Sequence, residues 1–348
     1  MLLVLVRFLL LLYTNPMKNK SKMIKVPVNT AILFSIALVI IASLVGYKMA
    51  EVKAKIKNLA GTTTGGTTAT KEFKPEKTEK PVLDFYVMSF CPFGNQMEDL
   101  LRPVFDLIGN KVDLQPRYIF DKIENITENC KARADVGQCD AYIKNGYFKT
   151  QAECKQVVGA EYTKCTDTSN YIKSPTGAFY SSLHGRIEAN QNVREICAYN
   201  IATDKKMWWD FVANANTACD SKNADTCWEE QAKKAGFDTA KITECFNKEG
   251  ITLIEKEIAL TEKNKIQASP TVLVNGLNFP PDEAYTQDGK GTLKVGKVTL
   301  QQSEFRTPNA LKESLCASFK KAPKECTTKI EAAKAAAANT DAGAAGCQ

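Results

Sequence analysis

Val82–Leu100, VLDFYVMSFCPFGNQMEDL, is the stretch that decides the fold. Val82, Leu83, Phe85, Tyr86 and Val87 form an apolar, β-branched and aromatic run of the kind that makes a buried strand. Beyond it Met97, Leu100, Leu101, Val104, Phe105 and Leu107 recur at helical spacing. Cys91 stands at the joint, and Pro92 suits the first helical turn, where a missing N–H costs nothing. A thiol in that place meets the positive end of the peptide dipoles and unpaired backbone N–H groups, both of which favour the thiolate. Chemistry is therefore expected at this joint.

Downstream, KVDLQPRYIF (111–120) predicts a second strand, with Pro116 at an edge or a strand end. The order strand, helix, strand implies parallel pairing. Residues 121–171 hold four cysteines among Asn, Lys and Gly with little periodicity, which predicts a disulfide-stapled excursion. Within it Asn125-Ile126-Thr127 is an N-glycosylation sequon. From Ser182 to Cys245 the pattern is helical, with Trp208, Trp209, Phe211 and Trp228 as core and His184 as a capping or packing residue rather than a base. Ile251–Lys265 continues as helix, and QASPTVLVNG (267–276) places a proline at the head of a strand that stops at Asn275-Gly276. A cis bond there would expose the preceding carbonyl and N–H to another extended chain. Residues 291–300 predict a late hairpin strand, and Thr307 with Pro308 opens a last helix.

The 12 cysteines lie at 91 and beyond, the only histidine is His184, and no paired C-x2-C modules occur, so neither a zinc site nor any cofactor is expected. Their spacing suits disulfides in an oxidising compartment, with Cys219–Cys227 and Cys316–Cys326 the preferred pairs. The net charge of +7 owes much to lysines near the N-terminus, and without a basic stripe interleaved with aromatics no nucleic-acid partner is expected.

From Val26 to Tyr47 there is no charged residue, and residues 26–47 predict one transmembrane helix. Lysines flank it on both sides; the cysteine-rich body breaks the tie, giving a single-pass protein of the cell membrane with residues 1–25 cytoplasmic and the body outside. Met17 and Met23 offer alternative starts, and an uncleaved anchor is preferred over a signal peptide. Residues 48–80 read as a flexible linker, 81–326 as the folded domain with an insertion at about 121–265, and 327–348 as an Ala-rich disordered tail whose Cys347 is an unpaired thiol.

FYVMSFCPFG (85–94), Ser269-Pro270-Thr271 and VLVNG (272–276) together resemble the thioredoxin fold with a helical insertion, as in DsbA-like thiol oxidoreductases. The fold class expected is thus α/β, thioredoxin-like, with a disulfide-stapled helical insertion. SLHG (182–185) and the many cysteines resemble, more loosely, lysosomal thiol reductases. The stretch from TCWEEQAKKAGFD to LKESLCASF and Cys326 is similar to the thioredoxin-like luminal domain of plant vacuolar sorting receptors. The resemblance implies that Cys91 attacks, that Pro270 faces it as a cis-proline, and that Pro92, Phe93, Gly94, Ser269, Pro270 and Thr271 contact the substrate. The first-turn N–H groups of Phe93 and Gly94 would stabilise the thiolate.

One departure matters. The family pattern is C-x-x-C, and here Gly94 stands where the resolving thiol belongs. Three readings stay open: Cys91 as a monothiol whose adduct an outside thiol resolves, a couple with a cysteine of the insertion, or a peptide-binding module without catalysis. The first is preferred: a membrane-anchored thiol–disulfide exchange protein acting on cysteine-bearing clients, with a redox partner the sequence does not name.

Overall fold

The computed structural model describes residues 70–330 and Cys347. The expected membrane anchor 26–47, residues 1–25, most of the linker and most of the tail lie outside the described residues. Among the described residues no helix is long and apolar enough to cross a membrane.

The opening stretch folds as its pattern demands. Strand β2, Val82–Val87, buries Leu83, Phe85, Tyr86 and Val87 and runs through a short turn into helix α1, Pro92–Ile108. Strand β3, Asp113–Tyr118, pairs with β2 in parallel, Val82 opposite Asp113 through Val87 opposite Tyr118. It is the edge strand, which is where Pro116, lacking an N–H, is tolerated. On the other side of β2 lies β7, Thr271–Val274, antiparallel, then β8, Leu277–Asn278, so that the sheet order is β3-β2-β7-β8. Asn275 and Gly276 join β7 to β8 with φ of 49° and 79°, the doubly positive φ of a tight hairpin turn. Asn275 Oδ1 also accepts the Val82 N–H at 2.7 Å, which pins the hairpin to the start of β2. This β-α-β, then β-β, then helix arrangement is the thioredoxin-like core.

The domain begins before residue 81. Strand β1, Lys71–Phe73, pairs in parallel with β9, Thr292–Val295, which forms a hairpin with β10, Val298–Gln301. Phe73 is buried with its ring 4.9 Å from that of Phe279. The linker reading of 70–80 fails because a single apolar residue in KEFKPEK is invisible to composition yet enough to dock a three-residue strand.

The insertion is mostly helical. Residues 121–171, expected as a disulfide-stapled excursion with little periodicity, contain α2, Ile126–Arg133, α3, Cys139–Lys144, and α4, Gln151–Thr166. With residues 172–181 they also form a small antiparallel sheet of β4, Asp121–Ile123, β5, Ile172–Lys173, and β6, Phe179–Ser181. Disulfides Cys130–Cys165 and Cys139–Cys154 hold these helices, whose apolar faces are too sparse to announce their period. Asn125 is exposed and caps α2, its side chain accepting the Glu128 N–H. Residues 140–150 group as a unit distinct from the rest of the described chain, and within it the Tyr142 ring meets those of Tyr147 and Phe148 edge-on.

Helices α5, Arg186–Ile201, α6, Lys205–Ala218, α7, Ala224–Lys234, and α8, Thr239–Lys263, follow. Trp208 and Trp209 of α6 are buried against Phe85 of β2, edge-on at 6.0 Å and stacked at 5.9 Å respectively. Aromatic pairs of this kind add about 0.5–1.5 kcal/mol each beyond the area they bury. Cys197–Cys245 ties α5 to α8, and Cys219–Cys227 closes the α6–α7 turn. The last helix, α9, Pro308–Ser318, starts at Thr307, whose hydroxyl accepts the Ala310 N–H, and Cys316–Cys326 staples its end.

Candidate functional site

Cys91 is the N-cap of α1. Its backbone is extended, and its sulfur accepts the Gly94 N–H at 3.4 Å. Of the two N–H groups expected to face the sulfur, it is Gly94's that reaches it. Pro92 occupies N1 and is exposed, and Phe93 is half-buried beside it.

Across from Cys91 stands the loop ahead of β7. The Ser269–Pro270 peptide is cis, both residues are buried, and the Ser269 carbonyl oxygen lies 3.5 Å from Cys91 Sγ. Thr271 turns its hydroxyl back onto the Ala268 carbonyl at 2.7 Å, closing the loop. Ser269 Oγ accepts the Met88 N–H at 3.1 Å and so ties this loop to the chain just before Cys91. The same oxygen explains position 94. A Cβ on Gly94 would stand 2.9 Å from Ser269 Oγ, a separation real Cβ atoms essentially never show, so the residue that replaces the second cysteine has no room for any side chain while Ser269 keeps its place.

The outer edge of the loop is paired. Ser269 N–H donates to the Cys347 carbonyl at 2.9 Å, and Cys347 N–H donates to the Ser269 carbonyl at 2.7 Å, an antiparallel bridge between the residue before the cis-proline and a residue of the tail. Cys347 is disulfide-bonded to Cys91. This overturns the expectation of an unpaired tail thiol. The reason is geometric: the N–H and C=O of Ser269 face outward for an extended chain, and position 347 supplies one carrying a cysteine at the matching register. The eight insertion cysteines pair among themselves, so none of them is available to Cys91 as a resolving thiol.

Beneath the Cys91 turn is a buried polar layer that the sequence reading missed. Helix α5 presents Glu188, Asn192 and Glu195 to the chain at 89–90. Asn192 Oδ1 accepts both the Ser89 N–H at 3.0 Å and the Ser89 hydroxyl at 2.7 Å; Glu195 Oε2 lies 3.1 Å from the same hydroxyl. Glu188 Oε1 accepts the Phe90 N–H at 3.0 Å and lies 2.8 Å from His184 Nδ1. His184 is thus the outer partner of Glu188, whose hydrogen bond raises the imidazole pKa, and the histidine acts on the site only through that carboxylate. Burial pushes the Glu195 carboxyl up to about 7, against hydrogen bonds from Gln191 and Ser89 that favour the charged form. Glu98, in the second turn of α1, is raised well above the usual carboxylate range by burial and then by Glu195. Spacing i, i+4, i+7 at 188, 192 and 195 puts these three groups on one helical face, and that polar stripe was the available signal.

A family model described as the vacuolar sorting receptor thioredoxin-like domain matches residues 118–281. The match takes in the insertion and Ser269-Pro270-Thr271, leaves out Cys91, and ends before α9, so it starts earlier and stops sooner than the similarity read from the sequence. The chain is 24% identical over 148 residues to vacuolar-sorting receptor 4 of Arabidopsis thaliana, 38% of this chain and 22% of that protein. It spans about a fifth of the length of the curated relatives it matches. Among solved structures, reduced DsbA from Mycobacterium tuberculosis aligns with 74% of this chain and 92% of its own at 16% identity and a TM-score of 0.36. A putative protein disulfide isomerase from Nitrosomonas europaea aligns with 56% of this chain and 85% of its own at 12% identity and a TM-score of 0.33. The chain is similar to both groups, sorting-receptor thioredoxin-like domains in sequence and DsbA-type oxidoreductases in structure.

Proposed function

We propose that the protein is a thiol–disulfide exchange protein in which Cys91 attacks disulfides of client chains docked on Ser269. The observation that carries this reading is the joint itself: a sulfur at the first turn of α1, hydrogen-bonded by Gly94 N–H and set 3.5 Å from the carbonyl of a residue whose N–H and C=O pair with an extended chain. A client strand on that edge would bring its own sulfur to Cys91. The thiolate displaces one client sulfur, forming a Cys91–client disulfide, and the departing sulfur takes up a proton. Within the folded body Cys91 works as a single thiol, since Gly94 offers no partner and the insertion cysteines are engaged. We place the domain outside the cytoplasm, anchored by residues 26–47; the support is the number of disulfides in a chain of this size and the apolar run in the sequence.

Rate of alkylation of Cys91 against pH, after mild reduction of the full chain, tests the reading. The expected result is a thiolate present well below the ordinary thiol pKa of about 8.5. A midpoint near that ordinary value, or no reaction, sinks it.

A second reading rests on the family match, which covers the docking edge and not Cys91: a peptide-binding module without catalysis. It requires a Cys91→Ser variant to keep full client affinity and the wild type to reduce client disulfides no faster than that variant, whereas exchange chemistry requires a wild-type activity that the variant loses.

A further inference from the structure

We propose that Cys347 is the resolving cysteine of this site, so that the working couple is Cys91 with a thiol carried on the C-terminal tail. The inference rests on the exchange reading above and adds to it the partner thiol that the first turn of α1 lacks.

Three observations converge. First, Cys347 is held against Ser269 by two backbone hydrogen bonds as well as by the bond to Cys91, in the antiparallel pairing that an incoming client strand would use. Second, every other cysteine is committed elsewhere: the eight of the insertion to one another, and Cys316 to Cys326. Third, position 94 carries no side chain, and a Cβ there would stand 2.9 Å from Ser269 Oγ, which accepts the Met88 N–H. The structure closes the usual local route and places one thiol at the sulfur by another.

The reach is sufficient. The chain is fixed at Ile330, whose N–H and C=O pair with the Asn309 side chain at 2.9 and 2.7 Å. From there residues 331–346 run EAAKAAAANTDAGAAG, which at about 3.3–3.6 Å per residue can span up to about 60 Å. That stretch contains no apolar side chain larger than alanine. Cys347 is therefore covalently tethered to the domain that carries Cys91, so its attack on the Cys91–client bond is intramolecular.

Cys91 thiolate attacks a client disulfide, and the first client sulfur leaves as a thiol. Cys347 thiolate then attacks Cys91 Sγ; the Cys91–client bond breaks, the Cys91–Cys347 bond forms, and the second client sulfur leaves with a proton. The client disulfide gains two electrons and the couple loses them. A low-molecular-weight thiol returns the couple to its reduced form, two of its molecules being oxidised to their disulfide. Because client and tail pair with the same N–H and C=O of Ser269, resolution also expels the client from the docking edge.

The test is single turnover of the reduced full chain with a short synthetic peptide dimerised through one disulfide, no small thiol added. Wild type is expected to release about two peptide thiols per chain and to yield a Cys91–Cys347 linked fragment on non-reducing peptide mapping. Cys347→Ser is expected to release about one and to hold a peptide on Cys91; a Cys347→Ala variant should do the same, and both should retain the thermal transition of wild type with its Cys91–Cys347 bond reduced. If Cys347→Ser releases both thiols as wild type does, or the wild-type map shows Cys91 joined to the peptide and Cys347 free, the resolving role is overturned while the exchange reading stands. If Cys91→Ser releases thiols as wild type does, the exchange reading itself falls and this proposal falls with it.

Discussion

Replacing Glu195 by glutamine should abolish a pH dependence of stability that the wild-type protein carries. Glu195 is fully buried on α5 beneath the Cys91 turn, where burial lifts its carboxyl from 4.5 to about 7. The folded protein therefore binds a proton that the unfolded chain releases between those two values. With the folded pKa raised, the contribution is fully present below about pH 4.5 and is lost as pH rises through about 7, at about 1.4 kcal/mol per pH unit. The loss over the whole window is about 3 kcal/mol, and because the group is inaccessible to solvent it is not diminished by screening. Glutamine keeps the shape and can still accept from the Ser89 hydroxyl, but does not titrate. Urea unfolding of wild type and Glu195→Gln, each with its disulfides intact, at steps from about pH 4.5 to about pH 7.5 measures the difference; groups remote from Glu195 cancel, and Glu98 is the neighbour whose own titration the change also shifts. The wild type is expected to lose about 3 kcal/mol relative to the variant across that range. A constant offset between the two curves would mean that Glu195 titrates as an ordinary carboxylate, and the buried layer under the Cys91 turn would then be wrongly drawn.

Restoring the family motif with Gly94→Cys should not give a local couple between Cys91 and the introduced thiol. The new Cβ meets Ser269 Oγ at 2.9 Å, so a destabilisation of about 1–3 kcal/mol in denaturant is expected, and a variant as stable as wild type whose peptide map joins positions 91 and 94 would refute it. Glu188→Ala strips the Phe90 N–H of its acceptor, with an expected cost of about 1–3 kcal/mol by urea unfolding; no measurable change would show that water or another group already serves that donor. Removing Cys197–Cys245 should cost more than removing Cys219–Cys227, by about 1.5 kcal/mol in the chain-entropy treatment, since the loops closed span 48 and 8 residues; equal losses in paired serine variants would point to enthalpic control instead.

Much of the core was legible because its signals are local. An apolar run followed at once by a helical period forces strand and then helix at 82–108, and Asn275-Gly276 can hardly be other than a turn. Thr307-Pro308 starts a helix by its own chemistry, and the structure starts α9 there. What escaped depends on long-range pairing. Phe73 gives no hint that it will meet Phe279, about two hundred residues away along the chain. Glu188, Asn192 and Glu195 look like an ordinary polar helix face until the fold turns that face inward against Ser89 and Phe90. The helices at 126–166 carry almost no apolar period, because two disulfides do there what a hydrophobic stripe does elsewhere.

Gly94 and Ser269 are best understood as a matched pair. In a dithiol site the fourth residue of the motif needs a side chain, so the residue before the cis-proline must leave space for it. Here Ser269 uses that space for its hydroxyl, which accepts the Met88 N–H and locks the turn ahead of Cys91 to the docking loop. That arrangement leaves the first turn of α1 without a second thiol and holds the Ser269 carbonyl 3.5 Å from Cys91 Sγ. Under the proposed exchange chemistry, such a site depends on a second thiol arriving along that edge, in the place of a client strand. Cys347 stands in that place, paired to Ser269 on both its N–H and its C=O. The absence of a cysteine at 94 and the presence of one at 347 are therefore two sides of one arrangement, and a change at either position should be felt at the other.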